Sequence, residues 1–157
     1  MNVGAGIELQ LLLCRAGSIV CALGLDSVAE TMRALPIETI SGLPEFVSGL
    51  SIVRGAAVPV VDLAKLLGDR SESKGDRFVL LRLGARPIAL RVAEVMGVRT
   101  LAASSLTALP PLLGGTHADF VSAMSRLDAE LLLVLESAKL VPESAWAALR
   151  ANAGGQA

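Results

Sequence analysis

LPEFVSGLSIVRGAAVPVVDLAKLLG, residues 43–68, holds a turn, two short apolar strands, a lone arginine between them and a helix start. Gly42-Leu43-Pro44 breaks the chain. Val47–Val53 and Ala56–Val61 read as strands meeting at Arg54-Gly55, and Asp62 opens a short helix through Leu67 that Gly68 ends. Pro59 has no N–H to give to a ladder, so its strand is expected at an edge or a bulge there. The polar residues of the stretch are Glu45, Ser48, Ser51, Arg54, Asp62 and Lys65. Arg54 sits alone among apolar residues, so its guanidinium either pairs internally, with Asp62 or Glu45, or faces a partner.

Working outward, Ile7–Cys14 and Ser18–Leu23 read as strands joined by a tight turn at Ala16-Gly17. Asp26 is expected to cap a short helical turn over Ser27–Arg33, with Leu35–Ile40 a strand after it. DRSESKGD, residues 69–76, is the most polar stretch and the expected boundary between two lobes. Beyond it come strands Arg77–Leu83, Pro87–Val92 and Met96–Leu101, a loop Ala102–Ala118, strands Phe120–Met124 and Leu131–Leu135, and a helix Ala145–Arg150 capped by Ser144 with Trp146 facing inward. One domain is expected over residues 7–150, with lobes at about 7–68 (joined by parts of the C-terminus) and 77–141, and a frayed tail at 151–157.

The chain also repeats itself. A shift of 67 residues lays Leu11–Thr31 on Phe78–Val98, with Arg15 on Arg82, Gly17 on Gly84, Ala22 on Ala89, Leu23 on Leu90 and Val28 on Val95. A shift of 74 lays Val58–Leu67 on Leu132–Val141, with Asp62 on Glu136 and Lys65 on Lys139. Two halves built to one plan point to a duplicated β unit, and five short strands per lobe point to two small barrels side by side. Chance likeness of aliphatic strands is the competing explanation.

Composition narrows the function. Mean hydropathy is +0.62 and 53% of residues are hydrophobic, yet no apolar run is long enough for a membrane span. The N-terminus lacks a basic leader and carries Glu8, so a cytoplasmic protein is expected without membrane insertion. The surplus apolar surface suits strands buried on both faces or surfaces that a partner covers. A net charge of −1 and only four aromatic residues (Phe46, Phe78, Phe120 and Trp146) argue against nucleic acid. Catalytic patterns are missing: His117 stands alone beside Asp119 in a Gly-rich loop, and no nucleophile elbow, phosphate loop or zinc-protease sequence occurs. Cys14 and Cys21 with one histidine cannot close a structural zinc site and are expected to be reduced and buried, so no metal or cofactor is expected.

Pro44, Gly49, Arg54-Gly55, Pro59 and Val61-Asp62-Leu63 together resemble the signature of the CheW family, adaptors that couple chemoreceptors to the histidine kinase CheA in bacterial sensory arrays. The resemblance implies a mainly β fold of two SH3-like five-stranded barrels with short helices, a C-terminal helix and a hydrophobic groove between the lobes. It implies no catalysis, and as partners the regulatory domain of a CheA-type kinase and the cytoplasmic tip of a chemoreceptor. Carried onto this chain, it places the receptor or kinase interface at Val28, Glu30, Gly49 and Arg54. For Val28 the plainer reading is core, and for Glu30 a solvated cap. Ile88, Leu90, Val92, Val95 and Val98 form an apolar row that could line the groove for an amphipathic helix or belong to the core. The chain departs from the family's Asn-Leu-Arg-Gly at Ile52-Val53-Arg54-Gly55, and has Ala93 followed by Glu94 where an acidic residue is common. A divergent adaptor of a pilus or gene-regulatory system is a near variant; a small barrel binding an anionic ligand through Arg82, Arg86 and Arg91 is the alternative of another class.

Overall fold

A computed structural model describes residues 6–69, 75–108 and 120–154, with side chains through residue 151. His117, Asp119 and most of the expected linker fall outside these residues. The strands are β1 (Glu8–Ala16), β2 (Ile19–Gly24), β3 (Val28–Arg33), β4 (Val47–Val53), β5 (Ala56–Asp62), β6 (Arg77–Leu83), β7 (Arg86–Val92), β8 (Glu94–Ala102), β9 (Val121–Leu127) and β10 (Glu130–Leu135). The helices are α1 (Leu63–Leu66) and α2 (Glu143–Gly154). At α1 the Asp62 carboxylate accepts the Lys65 N–H at 3.2 Å, and Gly68 turns the chain out at φ 81°.

Four local expectations change. Helical geometry after Asp26 stops at Ser27, and Val28–Arg33 pairs antiparallel with β6 because a neighbouring strand satisfies its backbone better than a local turn. Leu35–Ile40 shrinks to a single bridge, Glu38 to Leu50, since Pro36 interrupts its donors. Pro59 lies inside a sheet rather than at its edge: its cross-strand neighbour Leu50 bonds to Glu38 instead, and parallel pairing with β7 begins only at Val60, so no ladder bond is lost. Helix α2 begins one residue before Ser144, on the Pro142 carbonyl, and continues past Arg150 to Gly154, into the expected tail.

Two five-stranded sheets result, ordered β8-β1-β2-β10-β9 and β3-β6-β7-β5-β4. The chain therefore does not divide at residues 69–76. The first two strands of each half join the last three of the other half, and the lobes drawn as 7–68 and 77–141 exchange their hairpins. The repeat is kept in the pairing: β1 and β2 fall on β6 and β7, and the bulge at Ala29 falls on that at Met96. Likewise β4 falls on β9, the bulge at Ser48 on that at Ser122, and the turn residue Arg54 (φ 52°) on Asp128 (φ 54°). Each sheet is closed by an equivalent bridge. Glu38 exchanges bonds of 2.8 and 2.9 Å with Leu50 of β4, and Thr107 exchanges bonds of the same lengths with Met124 of β9.

Strand alternation then sorts the apolar residues into three clusters. Leu11, Leu13, Val20, Ala22, Leu132 and Val134 fill one barrel; Val53, Val58, Val60, Phe78, Leu80 and Ala89 fill the other. The opposite faces of the same strands meet between the barrels, Leu12, Cys14, Cys21 and Leu23 against Val79, Leu81, Ile88, Leu90 and Val92. Cys14 and Cys21 are directly opposed, free and buried; hydrogen bonding between the thiols, then burial, pushes the Cys21 thiol well up. Trp146 and Ala145 of α2 seal one side of this layer, and Arg86 fixes the helix by gripping Glu143 with both prongs while lying 5.0 Å from the Trp146 ring. No helix among the described residues is long and apolar enough to cross a membrane.

Two outcomes follow from these contacts. Gly49 has φ 147°, and a Cβ there would run into the Glu38 carbonyl that closes the barrel. Gly49→Ala should cost at least about 3 kcal/mol in urea unfolding. Arg86 holds the Glu143 carboxyl below its ordinary range, so the pair adds stability above that range and loses it as pH falls through the depressed value. Fluorescence of Trp146 should report loosening of α2 below about pH 4, and Glu143→Gln should remove that pH-dependent part.

Candidate interaction surface

Arg54 and Gly55 (φ 52° and 83°) form the two-residue turn between β4 and β5, the doubly left-handed geometry that matches strand twist. Arginine pays for that backbone with about 1 kcal/mol of strain. Its guanidinium bonds neither Asp62, which caps α1, nor Glu45; one Nη meets one oxygen of Glu30 at 2.7 Å. The reason is closure. Strands β3 and β4 are the two ends of their sheet, and the Glu38–Leu50 bridge brings them together, so Glu30 and Arg54 meet across the seam.

Among the described residues three Arg–Glu pairs span distant elements, and this one differs in kind. Arg15–Glu130 and Arg86–Glu143 are two-pronged, whereas Arg54 uses one contact and leaves its side chain 74% exposed. An exposed single-contact pair contributes little to stability and leaves donors free for a second acceptor. Ile52, on the same outward side of β4, is 62% exposed, the most open large apolar side chain among the described residues. Val28 is half-buried against the inter-barrel layer, two residues before Glu30 on β3. Gly49 is buried at the other end of β4, where it permits closure rather than contributing surface.

The expected groove row does not survive as a row. Ile88, Leu90 and Val92 are buried between the barrels, because the outer face of β7 packs on the other barrel. Val95 is half-buried against the same layer, and Val98 is 54% exposed on β8. The anion-binding set also comes apart. Arg86 is held by Glu143, and the Nε of Arg91 donates to the Gly75 carbonyl at 2.6 Å, which leaves Arg82 of the three. Glu30 as the partner of Arg54 was missed because the two lie far apart in sequence and nothing local marks the closure.

A sequence model described as CheW-like domain matches residues 10–145. The chain belongs to the CheW-like domain family. It is 21% identical over 140 residues to "Chemotaxis protein CheW" of Klebsiella aerogenes, covering 88% of this chain and 84% of that one. It is 29% identical over 113 residues to "Protein FrzA" of Myxococcus xanthus, covering 71% and 69%. Its fold matches the crystal structure of the scaffolding protein TtCheW from Thermoanaerobacter tengcongensis with a TM-score of 0.78 at 21% identity, over 88% of this chain and 96% of that one.

If the Arg54–Glu30 pair is a surface feature rather than a structural tie, Arg54→Asn should leave unfolding stability unchanged or raise it by up to about 1 kcal/mol, since Asn-Gly suits this turn. A loss above about 2 kcal/mol, outside the range of an exposed pair, would show the pair to be structural.

Proposed function

We propose that this CheW-like chain is a non-catalytic adaptor that couples chemoreceptor tips to a CheA-type histidine kinase in a bacterial chemosensory array. The observation that carries the reading is Arg54: a strained, exposed arginine with one internal contact, in the stretch that resembles the family's signature. A folded chain keeps such a residue at little gain to itself, and a planar fork on an apolar stem suits a partner's carboxylate. Glu30 carries this surface onto β3, Val28 lies across the bulge at Ala29 on the inter-barrel side, and Gly49 acts through the backbone by holding the seam closed. Of the apolar row, Val98 and the exposed part of Val95 remain accessible to a partner helix. The assignment puts the chain in the cytoplasm, beside the receptor's inner tip.

The test is a pull-down of the full chain with the cognate kinase regulatory domain and, separately, a receptor-tip hairpin. Arg54→Glu is expected to weaken binding at least about tenfold, while the thermal midpoint moves by less than about 2 °C. Failure of the unmodified chain to hold either partner overturns the adaptor reading.

A further inference from the structure

Two arginines face each other across β3 and β6, and among the described residues neither has an acidic partner. The register sets Arg33 directly opposite Arg77 at the ends of their strands. The Ala34 N–H donates to the Asp76 carbonyl at 2.7 Å, which pins those two ends together. Alternation puts Arg77 on the side of Val79 and Leu81, away from Phe78 and Leu80 inside the barrel, and Arg33 shares that outward side with Thr31 and Val28.

Cross-strand neighbours of like charge repel, the more so when one is half-buried, as Arg77 is. Among the other described arginines, Arg15, Arg54 and Arg86 have Glu130, Glu30 and Glu143, and Arg91 has the Gly75 carbonyl; Arg82, Arg99 and Arg126 have no such partner but lie opposite Pro87, Leu11 and Leu131, not another arginine. Among the described residues, neither Arg33 nor Arg77 enters an ion pair or a side-chain hydrogen bond.

We propose that Arg33 and Arg77 form a two-armed site for an oxyanion, a carboxylate or a phosphate. Two guanidinium forks on adjacent strands present more N–H donors than two oxygens need, so one anion can bridge both. Bridging also offsets the repulsion between the two like charges. The site uses neither Arg54 nor Glu30, and its test reads no kinase or receptor binding, so it does not depend on the adaptor reading.

The experiment needs only the full chain and simple anions. Thermal midpoints are measured in sodium phosphate and in sodium succinate, each against sodium chloride at matched ionic strength, for the unmodified chain, Arg33→Gln, Arg77→Gln and the control Arg99→Gln. The unmodified chain and the control should gain about 4 °C at ten times the dissociation constant. Each of the other two variants should lose that gain. Arginine Nε–Hε resonances should move on titration at Arg33 and Arg77 alone. The tighter anion identifies the source: phosphate points to a free or esterified phosphate, succinate to a carboxylate side chain. Equal gains in all four proteins, or no gain beyond chloride, would overturn the site.

Discussion

Leu12, Cys14, Cys21 and Leu23 on one barrel press against Val79, Leu81, Ile88 and Leu90 on the other, and the remaining architecture depends on this dry contact. It buries the second face of two hairpins whose first faces already fill the barrel interiors. A strand buried on both sides must be apolar at successive positions, which accounts for the high hydropathy. The same contact is repeated chemistry: β1 and β2 meet β6 and β7, their own counterparts in the repeat, across an approximate two-fold relation.

Exchange of hairpins between the halves ties the barrels together twice, once through the covalent chain and once through the shared layer. Neither half can complete a sheet from its own strands as arranged here, so each barrel's shape depends on both. Helix α2 lies over the layer through Trp146 and is held from the second barrel by Arg86. Surfaces available to partners are then what this packing leaves uncovered: strand edges, hairpin tips and the barrel seams. Arg54 and Glu30 sit at one such seam, while Leu90 and its neighbours are consumed by the interior.

Much of this was legible locally. The strands β4 and β5, their turn at Arg54-Gly55 and the cap at Asp62 follow from short-range rules, since glycine, a terminal aspartate and β-branched residues each report on their own few neighbours. Val28–Arg33 was misread as helical because Asp26 offers a plausible cap and the competing partner, β6, lies far along the chain. Of the interface candidates, Arg54 could be singled out by its isolation among apolar residues. Glu30 as its partner, and Arg33 opposite Arg77, needed the register and closure of a sheet assembled from both halves.

The sequence by itself determined nine of the ten strands, though not β3, that the chain is built twice to one pattern, and that its motif resembles that of the CheW family. Those features are written in neighbouring residues and in a fixed spacing. Only the tertiary structure decided which half supplies which barrel, that Ile88, Leu90 and Val92 face inward, and which acid meets Arg54. Alternation says that a strand has two faces, but what covers each face depends on burial against distant strands, and that choice is made by the packing of the whole chain.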